Sequence, residues 1–187
     1  MRIQDIVRAT ATYHDELSPI AWRHDELKPD VQTQLLKIAE LFIHYLDIDD
    51  FDVKDIVLTG SMVNYNWTQF SDFDLHVVTD YRLLHDIDFA EAFYRAKKTI
   101  WNNEHDITIY GHEVELYVED RNEPPVSGGL FSVLHNQWIK TPEHKNPNIN
   151  DTAVLRKVME LKDQIEDRKS TRLNSSHTDI SRMPSSA

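Results

Sequence analysis

Apolar positions along this chain change period several times, and each change predicts an element. From Asp30 to Leu46 the spacing is helical: Val31, Leu35, Ile38, Ala39, Phe42, Tyr45 and Leu46 form one stripe, and Pro29 suits the first turn. A shorter helix is expected near Ile3 to Tyr13, leading into a Pro-containing loop. Asp55-Ile56-Val57-Leu58-Thr59 reads as a short buried strand stopped by Gly60. From Ser71 to Val78 the period drops to two, with Phe73, Leu75 and Val77 on one face and Asp72, Asp74 and His76 on the other. Helical spacing returns over roughly Leu84 to Asn103, where Phe89, Phe93, Ala96 and Ile100 are the expected buried side of a crossover helix.

Beyond it, Ile107-Thr108-Ile109, a tight turn through Tyr110 to Glu113, and Val114 to Val118 read as strand, turn, strand. Glu113, Glu115 and Tyr117 share one face of the second strand; Val114, Leu116 and Val118 share the other. Pro124-Pro125 and Ser127-Gly128-Gly129 mark a loop before an apolar run, Leu130 to Ile139. Val154, Leu155, Val158, Leu161 and Ile165 predict a last helix. These elements add up to an α/β (α+β) fold: a mixed sheet with carboxylates on one face and helices packed on the other.

Chemistry concentrates between Leu58 and Val78. A strand–Gly–Ser junction frees backbone N–H groups and a hydroxyl for a phosphate. Asp72 and Asp74 side by side repel each other, an arrangement that makes most sense with a divalent cation between them. Magnesium suits a site of a few carboxylates completed by phosphate oxygens and water. A third carboxylate should come from a neighbouring strand. Glu115, set between apolar neighbours, is the first choice and Glu113 the reserve. Ser71, just ahead of the aspartates, joins Gly60 and Ser61 as a candidate nucleotide contact. His76 shares the face of Asp74, although a satisfied polar residue at a strand end is the simpler reading.

Gly60-Ser61, ten intervening residues, Asp72-Phe73-Asp74 and a later strand carboxylate resemble the nucleotidyltransferase superfamily typified by DNA polymerase beta. The run Asn64 to Trp67 also resembles predicted nucleotidyltransferases of phage and environmental sequences. The resemblance spans Asp55 to about Val118. It implies transfer of a nucleoside monophosphate from an NTP to an acceptor hydroxyl, with release of pyrophosphate. Asp72 and Asp74 would bind two magnesium ions (manganese serving as a substitute). Glu115 would help hold the catalytic ion and draw the acceptor's proton, and Gly60 and Ser61 would hold the β- and γ-phosphates. The superfamily's third carboxylate is often Asp, so Glu115 departs from the pattern. Two other readings stay open: a metal-dependent phosphohydrolase using Asp72, Asp74 and His76, and a nucleotide-binding module without turnover.

The C-terminal residues alter the composition. Residues 167–177, DRKSTRLNSSH, and 181–187, SRMPSSA, read as two in-register translations of a sequencing-library adapter, with Thr178 to Ile180 where a variable index would fall. Residues 167–187 are therefore expected to be a non-native, disordered tail, leaving residues 1–166 as one nucleotidyltransferase-like domain whose natural C-terminus is not defined by Glu166. Setting the tail aside removes Arg168, Lys169, Arg172, Arg182, Asp167 and Asp179. That leaves 16 basic and 30 acidic residues, a formal charge of −14 against −12 for all 187 residues. Such a charge repels polynucleotide backbones, so a small-molecule or protein hydroxyl is the favoured acceptor over nucleic acid. Arg95, Lys97 and Lys98 are the densest basic cluster, explained by a solvated helix face. The absence of cysteine excludes disulfides, thiol catalysis and Cys-based zinc sites. With no apolar leader and no run of membrane-spanning length, a soluble cytoplasmic protein is expected.

Overall fold

The computed structural model describes residues 13–49, 51–84, 86–144 and 152–164. The chain divides into two compact units, residues 13–146 and the terminal stretches 1–12 and 147–187. Of the second unit the described part is one helix, 152–164, on which Val158 and Leu161 are exposed. The helix expected at Ile3 to Tyr13, apart from Tyr13 itself, and the tail at 167–187 lie outside the described residues.

The larger unit contains first a hairpin, β1 (Trp22–Arg23) and β2 (Glu26–Leu27), within the segment expected as a Pro-containing loop. Helix α1 (Pro29–Leu46) follows, with Pro in its first turn as expected. Its buried side is Val31, Leu35, Ile38, Ala39, Phe42 and Leu46, the predicted stripe, with Tyr45 half-buried. Then come β3 (Asp55–Thr59), β4 (Phe73–Thr79), α2 (Ile87–Glu104), β5 (Thr108–Ile109), β6 (His112–Asp120), β7 (Leu130–Ser132) and β8 (Gln137–Lys140). The apolar run Leu130 to Ile139 is thus a hairpin of two strands.

The large sheet runs β5-β6-β4-β3-β7-β8. Only β4 and β6 pair in parallel, joined by α2 as the crossover; the other neighbours are antiparallel. The sheet is therefore mixed, and the fold is α+β as expected. Tyr110 (φ 53) and Gly111 (φ 83) both take positive φ in the two-residue turn between β5 and β6, the requirement of a twist-matched hairpin. Alternation along β4 sends Phe73, Leu75 and Val77 into a core shared with Val114 and Leu116 of β6, Ile56 and Leu58 of β3, and the α1 stripe. Asp74 and His76 are left on the opposite, half-buried face.

Helix α2 departs from its predicted face. Ala90, Tyr94 and Trp101 are buried, whereas Phe89 is 57 % and Ile100 46 % exposed, Ala96 is exposed and Phe93 only half-buried. The two stripes lie one residue apart, and the winning one carries the larger aromatic area. Trp101 packs at 5.4 Å from Phe42 and 5.1 Å from Tyr45, and Tyr94 at 5.0 Å from Tyr81. The same rotation aims Asn102 at the free edge of β6, where its amide accepts from Leu116 N–H and donates to Leu116 C=O, both at 3.1 Å. One side chain stands in there for a missing strand. Among the described residues no helix is long and apolar enough to cross a membrane.

Candidate active site

Strand register assembles the carboxylates. Thr59 of β3 stands opposite Asp74 of β4, and Asp74 opposite Glu115 of β6, so the three form one row across the sheet. Asp72 lies just before β4 on the same alternation, half-buried. Burial pushes the Asp72 and Asp74 carboxyls above the ordinary range, and the negative charge of Glu115 pushes both further. Asp72 adds to the effect on Asp74, while His76 and Lys98 oppose it and His112 opposes it at Asp72. Glu115 accepts a hydrogen bond from the Tyr117 hydroxyl at 2.5 Å. Glu113, the reserve candidate, is exposed and pairs with Thr108 at the hairpin.

This donor set, all hard oxygen with like charges crowded on a half-buried face, suits magnesium. As the side chains stand, no three Asp, Glu or His groups among the described residues converge as ligands of one ion. Their charges oppose convergence, and Tyr117 occupies one oxygen of Glu115.

The Gly60 junction is built against that row. Gly60 has φ 74 and ψ −159, a conformation open essentially to glycine alone. A Cβ there would lie 1.8 Å from Asp74 Oδ2, so the backbone passes directly over the carboxylate. After Gly60 the chain makes a single 3₁₀ turn, Ser61–Val63, too short to carry a helix dipole of consequence. Ser61 Oγ donates to Ser71 Oγ at 2.7 Å, and Thr68 N–H donates to the same oxygen at 2.8 Å. Ser71 is buried and stands behind Ser61 as its support. The Asn64 amide donates to Gly60 C=O at 2.6 Å, fixing the turn from the other side. Trp22 Nε1 donates to Met62 C=O at 2.7 Å, so the unpredicted β1–β2 hairpin also braces it.

Gly60, Ser61, Asn64, Tyr65, Gly128 and Lys140 help line a cleft of about 410 Å³. Asn64 to Asn66 line this cleft, whereas Trp67 stacks on His14 with ring centroids 3.8 Å apart. Gly129 closes against the Val63 carbonyl, where a Cβ would come within 2.1 Å, which joins the Ser127-Gly128-Gly129 loop to the Ser61 turn. Lys140 was not foreseen. It lies on β8, far along the chain from Gly60, and no local pattern marks it.

His76 hydrogen-bonds to none of Asp72, Asp74 and Glu115. Its Nδ1 is 2.8 Å from Glu119 Oε2, its Nε2 is 3.2 Å from Thr59 Oγ1, and its ring stacks on Tyr117 at 4.6 Å. Both ring nitrogens are engaged, as the simpler reading expected. The basic cluster on α2 is not uniformly solvent-directed: Lys97 donates to Tyr45 C=O at 3.3 Å, and Lys98 Nζ sits 3.9 Å above the Tyr117 ring. Comparisons of the chain with protein-family models, curated proteins and solved structures find no match.

Proposed function

We propose that this protein is a magnesium-dependent nucleotidyltransferase, moving a nucleoside monophosphate from an NTP to an acceptor hydroxyl and releasing pyrophosphate. One observation carries the reading: Asp74 and Glu115 stand opposite each other on parallel strands, and a glycine backbone that tolerates no side chain crosses Asp74. Proteins rarely crowd like charges on a half-buried face without a cationic ligand to relieve them.

Asp72, Asp74 and Glu115 are the residues to hold the metal. When bound, magnesium neutralises charge on the triphosphate and on the oxygens that attack and leave. Gly60 and the Ser61 hydroxyl orient the β- and γ-phosphates, with Lys140 adding positive charge in the same cleft. A Glu115 carboxylate oxygen accepts the proton of the acceptor hydroxyl. Phosphoryl chemistry asks little more of a protein than positioning and charge neutralisation. The phosphohydrolase alternative needs His76 Nε2 as a ligand, and that nitrogen is turned to Thr59 Oγ1 instead. A small-molecule or protein hydroxyl is favoured as acceptor by the acidic composition.

The test is calorimetric titration with non-hydrolysable ATP and GTP analogues, with and without magnesium, on the wild type and Asp74→Asn. Magnesium-dependent binding in the wild type, weakened at least about tenfold in Asp74→Asn, is the expected result. A folded wild type that binds neither analogue sinks the reading. Binding together with NTP turnover that Glu115→Gln abolishes separates an enzyme from a binding module.

A further inference from the structure

Two clefts have lining residues that touch the carboxylate row, although the carboxylates themselves line neither. One is the Gly60–Ser61 cleft, whose wall packs onto Asp74. The other, about 330 Å³, opens over β4 and β6 beneath α2, with His76, Tyr117, Glu119, Tyr94, Arg95 and Lys98 among its walls. Tyr117 links that wall to Glu115 by its hydroxyl, as Gly60 links the first cleft to Asp74. Helix α2 is fixed as the outer wall by the two Asn102 hydrogen bonds to Leu116.

In-line displacement places the attacking oxygen and the departing pyrophosphate on opposite sides of the transferred phosphorus. With the β- and γ-phosphates at Gly60 and Ser61, the acceptor must come from the far side of the carboxylates, and the second cleft is the one that meets the row at Glu115, through Tyr117. Its volume is at the small end for ligand sites, room for a metabolite-sized molecule.

Charge narrows the class. In the wall of this cleft, Glu91 is bonded to Arg95 and Glu119 to His76. Lys98, one turn on from Arg95, makes no close ion pair among the described residues, although its charge reaches Asp74; its ammonium rests on the Tyr117 ring. Glu123 also lines the cleft, three residues past the end of β6. The available cation is therefore at the Tyr117 end, within electrostatic reach of Asp74, and the Glu123 carboxylate lies beyond the end of β6.

We propose that the cleft under α2 is the acceptor site, and that it takes a small hydroxyl compound whose anionic group is bound by Lys98. The proposal rests on the nucleotidyl-transfer reading. In the step, the acceptor oxygen bonds to the α-phosphorus, the bond to pyrophosphate breaks with its electron pair on the leaving oxygen, and the hydroxyl proton passes to Glu115.

The experiment supplies the full chain with magnesium, α-labelled ATP or GTP, and matched acceptors: glycerol and glycerol 3-phosphate, ribose and ribose 5-phosphate, and a short oligoribonucleotide. Label should enter a phosphorylated compound at least about tenfold more efficiently than its neutral parent. Lys98→Ala should erase that preference through KM, and Lys98→Arg should keep most of it. In both variants, magnesium-dependent binding of the nucleotide analogue should stay within about twofold of wild type. The proposal is overturned if no phosphorylated acceptor is labelled, if the neutral parents or the RNA end are preferred, or if the preference survives Lys98→Ala. Loss of analogue binding in Lys98→Ala also overturns it, by placing Lys98 on the triphosphate instead. Absence of analogue binding in the wild type defeats the underlying function, a result distinct from all of these.

Discussion

Two halves of one sheet face handle charge in opposite ways. At the start of β4, Asp72 and Asp74 face Glu115 with no cation bonded to any of them among the described residues, and both aspartates are harder to ionise than usual. Two residues further along the same face, the charged groups on β4 and at its end have mates. His76 lies between Glu119 and Thr59. Just past β4, Asp80 accepts from Arg82 and Asn122, which hold its carboxyl well below the ordinary range. The fold can pair its charges, and does so within one strand length. That it leaves the upper half unpaired marks that half as built for something from outside.

The sharpest way to break the comparison is at Gly60. Gly60→Ala forces a side chain into a backbone conformation that excludes it and displaces the Asp74 carboxylate. A loss of about 2–4 kcal/mol in unfolding free energy is expected, together with magnesium-dependent nucleotide binding. Chemical denaturation beside calorimetry checks both. Normal stability with intact binding would show that the contact between Gly60 and Asp74 does no work.

His76→Ala attacks the paired half. It removes a stacked ring and two hydrogen bonds, and leaves Glu119 without its partner. About 1–3 kcal/mol of stability should go, while affinity for the magnesium–nucleotide complex changes by less than about threefold. A collapse of metal-dependent binding with normal stability would instead place His76 among the ligands.

The contrast between the halves also separates what could be read from the sequence. Strand alternation sufficed for Asp72-Phe73-Asp74 and for the Glu115 strand, because an apolar period of two leaves only one face for the carboxylates. Which residues stood opposite each other was not legible: the Asp74–Glu115 match depends on the parallel register of strands joined across α2. The face of α2 was misjudged because two apolar stripes run side by side, and Tyr94 and Trp101 decide between them through partners remote in the chain. Lys98 looked like surface charge for the same reason. Trp22 and Lys140, which reach the Gly60 junction and its cleft from the first hairpin and the last strand, left no local mark at all.

The smallest effect is the most diagnostic. If Asp74 serves a ligand at the expense of the fold, Asp74→Asn should bind magnesium and nucleotide poorly yet be more stable, by about 0.5–1 kcal/mol at neutral pH. The pH dependence follows from the direction of the shift. A carboxyl whose folded-state pKa is raised takes up its proton more readily folded than unfolded, so its ionisation destabilises the protein as pH rises from the unfolded pKa through the folded one. The advantage of Asp74→Asn should therefore be full above that window and fade as pH falls through it. Asp80→Asn should behave in the opposite sense. It removes a stabilising carboxylate, so it should be the less stable protein at neutral pH, and its deficit should shrink as acid protonates Asp80 in the wild type. Denaturation midpoints of the three proteins from neutral to acid pH would show one curve converging on wild type from above and one from below. Two curves on the same side would mean that the upper half of the face is paired like the lower, and the case for a ligand there would lose its physical basis.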